Sequence, residues 1–320
     1  MKRLFKLACI ILALGLVIAG TGVFIAVKKD GVTYYDIMDV VKVNLAAPDE
    51  QLKADMPELP DLAKIEDRIT SSDHSYGLNE FNTVCVYSEN IQTEFYRQTD
   101  DKMTVTVHSG NIISAVVEGT LYIRANSGNG GSIMRVGIPD SYKGGLIICG
   151  IGSRISSEPF ESAMDISIYL KSSSLTAESF TADNIAVTSA SSRADLGDIA
   201  ADDFAAVCVS SELNTKSINC KESTLNADNT TIELNDIRGG FLAAITRSTY
   251  KTVFSHITGN ITVDTENSRG DIHIPNNVEM TLIHDESYSI FNNSNGSVSE
   301  DNQSKYTIET DIKYSVLNIH

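Results

Sequence analysis

Six histidines, His74, His108, His256, His273, His284 and His320, are the first candidates for chemistry. No pair of them forms an H-E-x-x-H arrangement, and none stands at a metal-ligand spacing from a cysteine or an aspartate. The carboxylates offer a sharper possibility. Enzymes that cleave acidic polysaccharides often place acidic clusters and calcium on parallel β-helices. Here Asp183, Asp202 and Asp203 would stack on successive coils, with Asp195 and Asp198 nearby. Like charges one coil apart, about 4.8 Å, repel and could recruit a cation. These aspartates nevertheless occupy turn-like positions, where the side chain bonds the local backbone. Lys221 continues the Asp183/Asp202 column as a partner, and Arg193 beneath Glu212 reads as a ladder ion pair. General acid–base work would also need a positioned base near the substrate.

Cys9 lies in an apolar N-terminal stretch, leaving Cys85, Cys149, Cys208 and Cys220. They show no C-x-x-C spacing, so free thiols packed as small hydrophobes are expected, with Cys208–Cys220 as the best disulfide candidate. There is no G-x-S-x-G elbow and no phosphate loop. Ser127-Gly128-Asn129-Gly130-Gly131 precedes a strand-like run rather than a helix. No catalytic residue, metal ligand or cofactor is assigned.

The elements that would carry any site are strands. Thr83–Tyr87, Met103–Val107, Leu121–Ile123, Met134–Pro139 and Gly144–Cys149 are apolar or alternating runs separated by turns. Beyond Ile147 a period of 19 residues appears. Cys149, Ile168, Val187, Ala206, Leu225, Ala244, Val263 and Leu282 form one apolar column. Ile147, Ile166, Ile185, Phe204, Ser223, Leu242, Ile261 and Met280 form a second, with Ser223 the exception. A 19-residue coil offers at most about 60 Å of extended chain, enough for one circuit of a narrow parallel solenoid. Residues two apart point to one side of a strand, so stacked coils bury a continuous core that no single coil could bury. The fold expected is all-β, a single-domain β-solenoid of the parallel β-helix or β-roll kind, with about seven coils over residues 144–284 and no helix inside.

The N-terminus differs. Lys2, Arg3 and Lys6 precede Leu7–Val27, an uncharged stretch long enough to span about 30 Å as a helix. Val17-Ile18-Ala19 would suit cleavage before Gly20, but the apolar run continues, which favours an uncleaved anchor with the C-terminal bulk outside. Four segments follow: residues 1–29 as the signal-anchor helix, 30–77 as a partly helical juxtamembrane stalk, 78–284 as the solenoid, and 285–320 as a C-terminal loop with capping strands. The chain carries a net charge of −17, and setting aside the five cations of residues 1–29 leaves −22. Such a field repels nucleic acid and anionic lipid heads.

Phe81-Asn82-Thr83-Val84, Gly119-Thr120-Leu121-Tyr122-Ile123, Val136-Gly137-Ile138-Pro139, Gly259-Asn260-Ile261-Thr262-Val263 and Gly270-Asp271-Ile272-His273-Ile274-Pro275 together resemble a bacterial adhesin-like domain of unknown function, over about residues 78–319. The resemblance implies a β-solenoid on an envelope protein, often behind one membrane segment, and no catalytic residues.

One outward column, Ser167, Ala186, Ala205, Thr224, Ala243 and Thr262, is flat and nearly uncharged. It is the candidate interaction wall for an envelope protein or glycan partner, unless the N-terminal strands or the stalk cover it. The functions expected are a non-enzymatic, membrane-anchored binding module outside the cytoplasm, or an accessory component of an envelope-stress or membrane-sensing system. A polysaccharide-active β-helix enzyme is the third alternative.

Overall fold

The computed structural model describes residues 60–65, 69–110, 112–127, 131–299 and 304–320. The described residues belong to one compact unit. The anchor Leu7–Val27 and most of the stalk lie outside the described residues. Among those described, no helix is long and apolar enough to cross a membrane.

The 19-residue period is a spatial one. Ile168 lies opposite Val187, Val187 opposite Ala206, and Ala206 opposite Leu225, all in parallel register. Each coil therefore makes one circuit. It runs along a long strand such as Asn184–Ala190, turns, and returns along a second such as Arg193–Ala200. The second strand bends in the middle, because pairing skips Glu178, Gly197 and Lys216 before it resumes. Gly197 is needed at that bend, since a Cβ there would overlap the Glu178 carbonyl oxygen. Ile185, Val187, Leu196 and Ile199 of one coil are buried, and the coils above and below repeat the arrangement. Each fully buried aliphatic side chain contributes roughly 1.5–3 kcal/mol.

A second ladder, of hydroxyls, runs down the turn between the two strands. The Oγ of Ser192 accepts the amide of Ser173 at 3.1 Å and donates to the Ala190 carbonyl at 2.7 Å. Ser211 does the same for Ser192, and Thr230 for Ser211. The series continues through Ser248, Ser268, Ser315 and Ser289. The residue before each hydroxyl is left-handed: Ser172, Ser191, Ser210, Asn229, Arg247 and Asn267 all have φ between 49° and 53°. A buried turn would otherwise strand its amides, and the ladder satisfies one per coil.

The period departs from 19 residues at three steps; two exchange inside for outside, and the third, from Ala243 to Val263, restores the phase. Leu225 faces Ala243, not Ala244, across an irregularity between Asn219 and Glu222 and the turn at Gly239. Ala243, expected on the outer wall, is therefore core at 1% exposure, while Leu242, expected inside, is 43% exposed. Near the other end Ile168 faces Ile148, so Ile147 and Cys149 of the expected interior columns point outward. Ser223, the polar exception, is interior and bonds the Cys220 thiol at 3.0 Å.

Both ends depart from simple winding. The strands Tyr306–Lys313 and Val316–Ile319 are not the outer cap expected of them. They lie inside the stack, with Tyr306–Lys313 between Ile261–Glu266 and Met280–Ser287, and Val316–Ile319 between Arg269–His273 and Ile290–Asn293. The side chains explain this order. Ile308, Ile312, Leu317 and Ile319 are wholly buried, whereas Met280–Ser287 carries exposed Asp285 and Glu286, which suit an edge. The end itself is closed by residues 295–298: Val298 enters the core, and Asn295 Nδ2 donates to the Ile274 and His320 carbonyls. At the N-terminal end Thr83–Glu89 lies between Thr120–Asn126 and Gly145–Ile151. The antiparallel strands Ile69–Ser71, Asp73–Gly77, Lys102–His108 and Ile112–Val117 close that end. Residues 69–77, assigned to the stalk, thus belong to the solenoid; Tyr76 is buried and its hydroxyl meets Ser114 Oγ at 2.7 Å.

Candidate interaction wall

The long strand of each coil presents alternate residues outward, and stacking aligns them into columns. One column runs Cys85, Ile147, Ser167, Ala186, Ala205, Thr224 and Leu242. Beside it runs Tyr87, Cys149, Tyr169, Thr188, Val207, Asn226 and Ala244. Neither column contains a charge over seven rungs, roughly 29 Å at the usual strand spacing. Ala186, Leu242 and Ala244 are exposed, and Ala205, Val207 and Thr224 half-buried. Of the expected wall residues, Ser167, Ala186, Ala205, Thr224 and Thr262 stand in this one column; Ala243 does not, and Leu242 replaces it.

The wall has a different character at each end. At one end Cys85, Tyr87 and Cys149 form their own small cluster on the outside of the sheet, with Tyr122, Ile147 and Tyr169 packed around it. Burial raises the Cys149 thiol and the Tyr87 phenol above their ordinary ranges, so both are neutral at physiological pH. At the other end the columns continue into Asp264, Glu309 and Asp311. Burial and the neighbouring Asp311 and Glu309 carboxylates push Asp264 up.

The remaining candidates resolve into structural roles. Lys221 Nζ lies 2.8 Å from Asp202, and Arg193 bridges Asp195 at 2.7 Å and Glu212 at 2.9 Å. Burial opposes ionisation of Asp195, but hydrogen bonds from Arg193 and Asn214 outweigh it and hold its pKa low. Hydrogen bonds from Lys216 and Ser217 hold Asp198 low as well. Among the described residues, no group of three or more His, Cys, Asp or Glu side chains could hold a metal ion. Cys85, Cys149, Cys208 and Cys220 are all free and buried. Cys208, whose thiol burial pushes up to about 11, sits in the core opposite Ala227, and Cys220 lies at the irregularity beside Ser223, so the Cys208–Cys220 bridge is not formed. Their buried thiols lack the electropositive setting that makes a thiolate nucleophile. His256 is exposed, and Ile257 takes the interior place beside it.

The second outward column, including Tyr169, Thr188 and Val207, was one alternation away from the first and carries the same signal in the sequence, whereas its Ala244 was expected inside. Ile147, Cys149 and Leu242 were hidden by the slips.

A parallel solenoid wound about once per 19 residues and held by a hydroxyl ladder is the class of fold that these elements define. The chain belongs to the Toastrack DUF4097 family, whose model matches residues 77–316. No curated protein matches it. Among solved structures it is similar to a candidate adhesin of Bacteroides fragilis at 10% identity, covering 80% of this chain and 98% of that one with a TM-score of 0.36. A candidate lipid-binding protein of Parabacteroides distasonis has 11% identity, 80% and 97% coverage and a TM-score of 0.44. A candidate adhesin of Parabacteroides merdae has 8% identity, 78% and 96% coverage and a TM-score of 0.39.

Proposed function

We propose that the protein is a single-pass, membrane-anchored binding module of the cell envelope, non-enzymatic, with its solenoid outside the membrane and its uncharged wall turned to a protein or glycan partner. The observation that carries this reading is the wall itself. A chain of net charge −17 holds two adjacent outward columns, from Cys85 and Tyr87 to Leu242 and Ala244, without one ionised side chain. Flat apolar strand surfaces of this kind accept another surface with little desolvation cost. The uncharged stretch Leu7–Val27, flanked by Lys and Arg, supplies the anchor in this reading.

The test uses cells displaying the full chain. Protease added to intact cells should remove the solenoid, and Ala205→Arg and Val207→Arg should abolish adhesion to envelope-coated surfaces at unchanged surface level. A protected solenoid, or adhesion indifferent to both substitutions, rejects the reading.

A further inference from the structure

The left-handed turn positions of the hydroxyl ladder hold polar residues along most of the solenoid: Ser172, Ser191, Ser210, Asn229, Arg247 and Asn267. On the last two rungs they hold Tyr314 (φ 49°) and Tyr288 (φ 54°) instead. Bulky residues are disfavoured in this backbone region, so tyrosine is the reverse of what the turn alone selects. Neither ring serves the core: Tyr288 is 86% exposed and Tyr314 52%. The two rings stack in parallel, 5.4 Å between centroids and 5° between planes. The ladder fixes their backbone. The Tyr314 amide donates to the Ser287 carbonyl at 3.0 Å, and the Ser315 amide donates to Ser289 Oγ at 3.2 Å. Lys313 Nζ lies 5.9 Å from the Tyr314 ring centre and 3.7 Å from Glu266. Ile290, on the same final rung, is 57% exposed.

We propose that the Tyr288–Tyr314 stack is a carbohydrate-binding platform that takes a pyranose ring of a neutral glycan on its solvent-exposed face. An aromatic face carries negative potential and attracts the C–H groups of a sugar ring, while the apolar ring surface is desolvated at low cost. Acidic side chains set the charge class of the ligand. Asp285 and Glu286 lie on the same final rung as Tyr288, so polyanions and anionic lipid surfaces are repelled. A rigid, pre-set aromatic pair loses little conformational freedom on binding. This platform is at the turn and separate from the wall; it stands or falls independently of the wall's role.

The test uses the full chain in a detergent without a sugar head group, titrated with laminarihexaose, cellohexaose, chitohexaose, polygalacturonate and tetramethylammonium. Tyrosine fluorescence reports directly, because the chain has 12 Tyr and no Trp. Saturable binding of a neutral hexasaccharide is expected, weakened at least tenfold by Tyr288→Asn and retained by Tyr288→Phe. Tyr288→Asn should also leave the thermal midpoint unchanged or raised, since asparagine suits the left-handed turn; a purely structural tyrosine would lower it. The proposal is overturned if no neutral hexasaccharide binds, if Tyr288→Asn binds as the wild type does, or if tetramethylammonium or polygalacturonate binds instead. Any of these results leaves the wall reading to its own variants, Ala205→Arg and Val207→Arg.

Discussion

Replacing Ser192 with alanine isolates the contribution of one rung of the hydroxyl ladder. Ser192 Oγ accepts the Ser173 amide at 3.1 Å and donates to the Ala190 carbonyl at 2.7 Å. In Ser192→Ala the Ala190 carbonyl keeps the Ser172 amide at 3.0 Å, so it remains paired. The Ser173 amide loses its acceptor in a turn where Ser173 and Ser192 are both buried. An orphaned buried N–H costs about 1–3 kcal/mol, so a loss of about 2 kcal/mol is expected. For a domain of this size that lowers the thermal midpoint by roughly 4–8 °C. Ser192→Thr should cost well under half as much, because Thr230 fills the same role two rungs on. Amide exchange locates the effect. Protection should fall at Ser173, while the amide of position 192, bonded to Ser211 Oγ at 3.2 Å, should keep its protection. Unchanged exchange at Ser173, or a stability loss no larger than that of the neighbouring Ser191→Ala, would refute the ladder's role.

The slip at Gly239 predicts opposite fates for neighbours. Ala243→Arg buries a charge in the core and should prevent folding or cost more than about 4 kcal/mol, while Leu242→Arg on the exposed wall should stay within about 1 kcal/mol, both read by denaturant unfolding. Near the C-terminus, burial and then the charges of His320 and Lys251 lower the His273 pKa, with Asp271 opposing. The folded state therefore binds fewer protons than the unfolded chain between the lowered value and the ordinary 6.5. Stability is full above 6.5 and declines as pH falls through that window; thermal midpoints from pH 7 to 5 should show the decline, and His273→Gln should flatten it. Finally, the buried, free thiols of Cys85, Cys149, Cys208 and Cys220 should resist iodoacetamide in the native state and react only on unfolding, with identical mobility in the presence or absence of reductant. Rapid native labelling at any of the four would contradict their placement.

The winding was legible because the interior demands the same kind of residue at the same place in each coil. Val187, Ala206 and Leu225 do lie over one another. What the sequence concealed was the phase at the slips, and the reason is physical. A period-two signal needs a polar outside to contrast with an apolar inside. At Ile147-Ile148-Cys149 and Leu242-Ala243-Ala244 the outside is itself apolar, so neighbouring residues read alike and a one-residue shift leaves no trace. The property that makes the wall a candidate site thus erases the pattern that would have placed it. The hydroxyl ladder had a sequence signature, Ser173, Ser192, Ser211, Thr230, Ser248 and Ser268, but serine in a turn is so ordinary that its regular spacing carries little contrast. The order of the end strands was not legible, because strand pairing out of sequence order depends on burial that only the assembled stack defines.

The charge-free wall is not something the fold requires. The solenoid is held by its interior, its parallel backbone pairing and its hydroxyl ladder, all of which involve inward or main-chain atoms. The returning strand shows what its outward positions tolerate: Arg193, Asp195 and Glu212 form an exposed ion-pair lattice there, and Lys251 meets Glu233 farther along. Exposed pairs of this kind contribute little to stability, so neither their presence on the returning strand nor their absence from the two wall columns is dictated by folding. In a chain with 42 acidic residues, seven rungs without a charge in these two columns, beside a next outward column that carries Asp203 and Glu222, are not accounted for by what holds the fold together. Val207→Arg and Ala205→Arg should accordingly leave unfolding midpoints within about 1 kcal/mol of wild type while removing the wall's binding. Loss of folding in both would place the wall's uncharged character in the service of stability and dissolve the case for a binding surface.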